Sequence, residues 1–538
     1  MRRLPALIAL ALVAGLLGAS PADAADPITL RPSFLWSMEP RFGLDADANG
    51  LIDHTNTTEY VHNRYPGSCS GTCPEPGFAV SLDASRSRVD GADFVVRQYR
   101  WVVAGGGRAV PLVFVRTSPH LDLLLREGTY RVALTVLFDI GARPASARVD
   151  RVVEVDDLLV VAIGDSYASG EGNPEVRADA AARAVWAESA DAQAARRHEA
   201  AHRSTIAWPA RTALALEQRD PHTSVTFVSV ASSGATVRDG VLGPQGDLPA
   251  QIDEVRSLVG DRQIDLLLVS IGGNDIGFAR VVRGLVDADP QMDPVCYDTD
   301  LDNVWLAAGD GDWRRSSSLS FDIGDPLFVH CKATGGSGPV LPGLAGLSAE
   351  LDRLATALDG LGGRVAIMEY PDPTGGDRGE ALCDEIVGDA TPPLRFHEID
   401  RLEQLAGVEQ VLAPLNFEIG AAAARHGWTV IGGVGDAFAG HGYCEPWPDY
   451  GYPQSFWERP SFLRKRLHHP DAWYRNPGIS SGALLLHGSG VTWYRSAGQS
   501  AVLQGPNRLA TTGTMHPNEL GHAALAALAL RAITAAGD

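Results

Sequence analysis

Leu158-Leu159-Val160-Val161-Ala162-Ile163-Gly164-Asp165-Ser166-Tyr167-Ala168-Ser169-Gly170-Glu171-Gly172 is the stretch on which the reading of this chain turns. Its first six residues form an unbroken apolar run of strand length, the signature of a strand buried on both faces. Gly164 then lets the chain turn, and Ser166 arrives at the carboxyl end of the strand, the edge at which open α/β sheets meet their ligands. Alone, Gly-Asp-Ser reads equally well as a turn or a helix cap. Its meaning depends on what other segments bring to the same edge.

Downstream, apolar runs alternate with Ala- and Leu-rich stretches of helical period. Strands are expected at Leu158–Ile163, Val225–Val230, Leu266–Ile271, Val365–Tyr370 and Thr429–Gly432, and helices near Trp208–Gln218, Leu248–Val259, Ser348–Leu358, Glu398–Arg425 and Pro517–Ala535. That alternation predicts an α/β domain with a parallel sheet covered on both faces. The second strand ends in Ser232-Ser233-Gly234-Ala235, the third in Gly272-Gly273-Asn274-Asp275, and His516 stands on a loop just before the last helix, whose first turn Pro517 can occupy. A glycine amide and an asparagine side chain at one sheet edge can converge on an oxyanion, and a loop histidine can reach a serine. Residues 279–345 and 445–512 interrupt the pattern. The second is rich in aromatic residues, including Trp447, Trp457, Trp473, Tyr474, Trp493 and Tyr494, which read as a small local core or a substrate-facing surface.

Upstream, from Phe78 to Val155, the texture is short alternating runs such as Gln98-Tyr99-Arg100-Trp101-Val102 and Tyr130-Arg131-Val132-Ala133-Leu134, which predict a small all-β sandwich. Residues 1–24 read as a signal peptide: a basic start, an apolar run from Leu4 to Leu17, and Ala22-Asp23-Ala24 for cleavage. The apolar run falls short of the roughly 20 residues a transmembrane anchor needs. Secretion to an extracellular, oxidising compartment is therefore expected, with the six cysteines paired. Chain order favours Cys69–Cys73, Cys296–Cys331 and Cys383–Cys444 among the many pairings six cysteines allow. A formal charge of −21 disfavours nucleic acid as a partner, and Arg464-Lys465-Arg466, the only compact basic run, reads as a solvated face.

Taken in order, the Gly164-Asp165-Ser166 block, the Gly234 block, the Gly272-Gly273-Asn274-Asp275 block and His516 resemble the SGNH/GDSL hydrolase family, and Gly164–Gly172 is similar to its secreted actinobacterial esterase and lipase branch. His202-Arg203-Ser204 before Trp208-Pro209, and Gly440-His441-Gly442-Tyr443-Cys444 followed by Trp447, are supporting matches. The resemblance covers residues 157–538. It implies a flavodoxin-like three-layer domain with a five-stranded parallel sheet in the order 2-1-3-4-5. It also implies an ester substrate, such as a lipid, a short-chain ester or an acetylated polysaccharide, with no catalytic cofactor. Carried over residue by residue, Ser166 is the nucleophile, His516 the general base, and the amides of Ser166 and Gly234 with the Asn274 side chain are the oxyanion donors. The family's aspartate three residues before the histidine is here Gly513. Its carbonyl would orient His516, as in the Ser-His dyads of some secreted members, with Asp436 or Glu445 as alternative carboxylates. Residues 76–156 resemble a PKD-type immunoglobulin-like domain, leaving 25–75 as an N-terminal segment.

Three other features give competing expectations. His198-Glu199-Ala200-Ala201-His202 fits the H-E-x-x-H pattern of zinc metalloproteases, set in a stretch, Asp179–Ala201, that reads as an exposed polar helix. Asp45, Asp47, Asn49 and Asp53 around Gly50 resemble an EF-hand or dockerin calcium loop, but Asn56 stands where the bidentate glutamate belongs, so a polar turn competes with structural calcium. Finally, the sandwich could bind a polymer or surface beside an inactive hydrolase domain.

Overall fold

The computed structural model describes residues 28–42, 77–178, 183–187, 192–260, 262–277, 304–305, 330–331, 342–374, 407–442, 493–495, 500, 503–504 and 512–536. The expected signal peptide, the Asp45–Asp53 loop, the 464–466 basic run and at least one cysteine of each expected pair lie outside these residues. Two compact units divide the chain: the described residues within Met1–Ser37 and Ala79–Val155, and those within Met38–Phe78 and Asp156–Asp538.

The regular elements described in the first unit are strands: β1 (Thr29–Arg31), β2 (Leu35–Met38), β3 (Phe78–Asp83), β4 (Arg88–Asp90), β5 (Val95–Gly105), β6 (Leu112–Arg116), β7 (His120–Leu125), β8 (Gly128–Ile140) and the start of β9 (Arg143–Gly164). β6, β5, β8 and β9 form one antiparallel run, β2-β3-β7 a three-stranded sheet, and β1 pairs with β4. Alternation explains the packing. Tyr99, Trp101 and Val103 of β5 and Tyr130, Val132, Leu134, Val136 and Phe138 of β8 point inward while Arg100 and Arg131 between them face water. Phe34 meets Trp101 edge-on at 5.3 Å.

In β9 the alternating pattern runs on to Leu158, and from Leu159 every residue is buried. This inner half is the first strand of the parallel sheet. β10 (Thr223–Ser229) pairs with it from Thr223 against Asp156 to Ser229 against Ala162, and β11 (Leu266–Ser270) pairs on its other side from Leu266 against Val160 to Ser270 against Gly164. β12 (Arg364–Met368) and β13 (Thr429–Ile431) complete the order β10-β9-β11-β12-β13, all parallel. In chain order that is second, first, third, fourth, fifth. The order reverses beside β9, and a crevice opens outside the strand ends at such a switch point.

The helices are α1 (Ser166–Ser169), α2 (Ala192–Ala201), α3 (Trp208–Arg219), α4 (Gln251–Val259), α5 (Pro342–Asp359), α6 (Ala413–His426), α7 (Val434–Phe438) and α8 (Glu519–Ala535). α3 packs on α8, and α5 on α6. Some boundaries differ from expectation for local reasons. α8 starts at Glu519 because the Asn518 side chain accepts from the amides of Leu520 and Gly521, which leaves Pro517 outside the helix rather than in its first turn. A π-helical segment, Gly407–Leu412, precedes α6 within the long helix expected there. The polar stretch expected as an exposed helix is helical only over α2 in its described part, and His198 and Ala201 of α2 and its flank are fully buried. Trp493 and Tyr494, read from sequence as part of a local aromatic core, instead pack against Phe438 as part of the main core.

Candidate active site

Ser166 opens α1 at the end of β9 and is 7% exposed. The turn before it is forced by close packing. Gly164 has φ +139°, and a Cβ there would lie 2.0 Å from the Ser270 carbonyl oxygen, so the strand end tolerates no side chain. Asp165 donates its amide to the same carbonyl at 2.9 Å and caps α1 by accepting from the Tyr167 amide at 3.0 Å. Gln251 of α4 grips Gly164 from outside, receiving its N–H and donating to its carbonyl, each at 2.8 Å. The Asp165 carboxyl is fully buried and also accepts from the Tyr370 phenol, while Tyr370 in turn accepts the Gly273 amide at 3.1 Å. Burial pushes the Asp165 carboxyl up to about 7. One tyrosine thus ties the serine turn to the Gly272–Asn274 loop.

The Gly234 block is joined to that turn by Ser232, whose amide donates to Gly164 O at 2.9 Å. Arg203, buried beneath it, donates to the carbonyls of Ala231 and Val230 at 2.9 and 3.1 Å and pairs with buried Glu254 at 2.8 Å. Buried carbonyls at a strand end need such donors. Gly234 takes φ +80°, and among the described residues its N–H donates to no protein group. Asn274 donates one amide proton to Ala235 O at 3.0 Å, which turns its side chain toward the Gly234 block and keeps a second proton for another acceptor.

His516 is held by backbone pairing. Met515 donates to Arg495 O and Arg495 donates to His516 O, both at 2.9 Å, and Asn173 donates to Pro517 O at 2.8 Å. Tyr167 ties this loop to the Ser166 turn: its phenol donates to Met515 O at 3.2 Å across 348 residues of chain, and its ring lies 5.4 Å from the imidazole. Two carbonyls act on the imidazole, that of Gly513, expected from sequence, and that of Thr514. The His516 ring binds Thr514 O through Nδ1 at 3.1 Å, while Gly513 O takes the His516 backbone N–H at 3.1 Å and also favours the charged ring. A carbonyl only accepts, so in the neutral ring Nδ1 carries the proton and Nε2 is left as an acceptor. Among the described residues no hydrogen bond joins Ser166 Oγ to His516; what links their segments is Tyr167, the next residue after the serine. Burial holds His516 below the ordinary histidine range, against the pull of the Glu171 carboxylate.

Of the carboxylates weighed from sequence, Glu445 lies outside the described residues; the charged side chains that act most on the His516 ring are Glu171 and His202. The zinc reading meets a geometric obstacle. His202 falls beyond the end of α2 in left-handed backbone (φ +52°), stacks on Trp186 at 4.4 Å and bonds Glu171, whereas His198 turns Nδ1 to Ala187 O at 2.6 Å. The two imidazoles therefore do not share one helical face, and no three His, Cys, Asp or Glu side chains gather for a metal among the described residues. Sequence reasoning missed Glu171, Gln251, Tyr370 and the structural work of Arg203. Glu171 sat inside the quoted motif, and Arg203 inside the His-Arg-Ser match.

No family model matches the sequence, and no curated protein does. Solved structures give partial likenesses. An extracellular lipase from Streptomyces rimosus is 19% identical, covering 70% of this chain and 99% of its own, with a TM-score of 0.34. An α/β-hydrolase enzyme from the metagenome of Lake Arreo, Spain, is 14% identical over 71% and 96%, TM-score 0.28. A carbohydrate esterase is 11% identical over 78% and 92%, TM-score 0.22. Likeness of this degree carries no argument about this chain, whose chemistry rests on the geometry above.

Proposed function

We propose that this chain is a secreted carboxylic ester hydrolase of the SGNH/GDSL type, working through an acyl-Ser166 intermediate. The observation that supports the reading is the Tyr167 bridge: the residue after the strand-end serine bonds the loop, and packs on the ring, of a histidine whose Nδ1 is committed to a carbonyl. His516 Nε2 takes the Ser166 hydroxyl proton as Oγ bonds to the ester carbonyl carbon, and the oxyanion is received by the Ser166 and Gly234 amides and the second Asn274 proton. Collapse expels the alcohol, which leaves with the proton from His516. Water then attacks the acyl-enzyme with His516 again as base, releasing the acid. In this reading the carbonyls of Thr514 and Gly513 replace the aspartate of a triad.

Ser166→Ala tests the reading. Hydrolysis of p-nitrophenyl acetate is expected to fall by roughly 10³-fold or more. A variant as fast as the parent excludes Ser166 as nucleophile and leaves the non-catalytic binding reading standing. The immunoglobulin-like identity of the N-terminal strands and the structural calcium at Asp45, Asp47, Asn49 and Asp53 belong to the same proposal. A chelator that lowers the thermal midpoint without touching the Ser166-dependent rate would support the calcium site.

A further inference from the structure

Glu171 is buried completely although it is a carboxylate, and its surroundings account for that cost. One oxygen accepts from His202 Nδ1. The other accepts from Gln504 Nε2 and from Thr512 Oγ1, the latter at 2.7 Å. Thr512 begins the loop that ends in His516. A second route reaches the same loop: Ser500 Oγ donates to Gln504 Oε1 at 2.9 Å and accepts the Gly513 amide at 2.9 Å. Backbone packing reinforces both, because a Cβ on Gly513 would stand 2.5 Å from Gly172 Cα. The Thr512 hydroxyl, the Gly513 amide and the Gly513 Cα thus all lead back to Glu171 or its neighbour, and this segment runs into the carbonyls that orient the imidazole.

We propose that Glu171 is a positioning residue for His516, anchoring its loop from another part of the chain and supplying the negative charge that a triad aspartate would supply to the imidazolium. The inference rests on the reading of His516 as the general base. Glu171 acts at a distance through its charge, since the ring nitrogen itself is bonded to Thr514 O. His202 competes for that charge: it shares the carboxylate and, when protonated, offsets its effect on His516. The other titratable or charged groups around His516 are Tyr167, which burial keeps protonated; His522, which burial keeps neutral; and Arg495, whose guanidinium is turned to Gly172 O and Asn173 Oδ1.

The test is an NMR titration of His516 in protein carrying labelled histidine, read without turnover. Glu171→Gln keeps the side-chain shape and removes the charge. It is expected to move the His516 midpoint to lower pH by about one unit and to reduce kcat by roughly 10-fold with KM little changed. His202→Gln is expected to move the same midpoint the other way, because the Glu171 charge is no longer shared. A His516 midpoint unmoved in Glu171→Gln overturns the proposal. If that variant does not fold, His202→Gln decides alone, and a midpoint that stays or falls overturns it. A parent protein without Ser166-dependent hydrolysis would defeat the functional reading while leaving this titration to be read on its own terms.

Discussion

Asn274 holds two amide protons and spends one on Ala235 O, so its orientation is set before a substrate arrives. A preset donor is worth most where charge develops in the transition state. Asn274→Ala is therefore expected to lower kcat on a short p-nitrophenyl ester by roughly 10²-fold while KM changes little. The base imposes a pH dependence of known sign. In the proposed mechanism His516 must be neutral to accept the serine proton, and burial holds it below the ordinary value of 6.5. Rate should rise with pH through that lowered midpoint, so kcat/KM reaches its plateau at a lower pH than an ordinary histidine would allow. An acid limb centred above 6.5 would contradict the burial seen here. Residues of this kind were legible in part from sequence: Ser166, His516, Gly234 and Asn274 each stand at an element's end with chemistry suited to it. The part played by the Thr514 carbonyl was not, because whether a second carbonyl joins that of Gly513 at the ring depends on backbone angles, and Met515 takes an uncommon φ of +59°.

At the scale of elements, the serine turn is a packing solution in its own right. β9 and β11 approach so closely at Gly164 and Ser270 that only a hydrogen fits between them. Gly164→Ala combines that clash with a φ of +139° that side chains avoid, and is expected to cost about 3 kcal/mol or more. Urea denaturation followed by fluorescence would measure it. A stability equal to the parent's would mean that the strand ends are not packed as described. The strands themselves were readable because continuous apolar runs report burial on both faces. Their capping was less so. Pro517 looked like a first-turn residue, yet the side chain of Asn518 had the better claim to the orphan amides.

For the whole molecule, the buried carboxyls shape stability against pH. Asp165 is raised from 3.8 to about 7 by burial, beyond what its hydrogen bonds from Tyr370, Tyr167 and Ser270 restore. A carboxyl with a raised folded pKa holds its proton more tightly when folded, so its contribution is fully present below 3.8 and is lost as pH rises through about 7. Asp165→Asn removes that titration. The difference in unfolding free energy between about pH 4 and about pH 8 should become flatter in the variant than in the parent. An unchanged pH profile would mean that Asp165 is already ionised in the folded protein at the acid end.

The amino-acid sequence by itself determined the change of texture at 155–156, the mixed α/β character with a parallel sheet, and the ends of strands on which candidate residues stand. These follow from local information: hydrophobic period and the placement of glycine. Only the tertiary structure decided which buried polar groups satisfy one another. Thr512 meets Glu171 across 341 residues, Gln504 meets it across 333, and Arg203 finds Glu254 across 51. A buried charge must be paired and hydrogen-bonded, but nothing local to it says by whom. For that reason the sequence could show that His516 lacks its usual aspartate, while the carboxylate acting on it, Glu171, emerged only when the chain was folded.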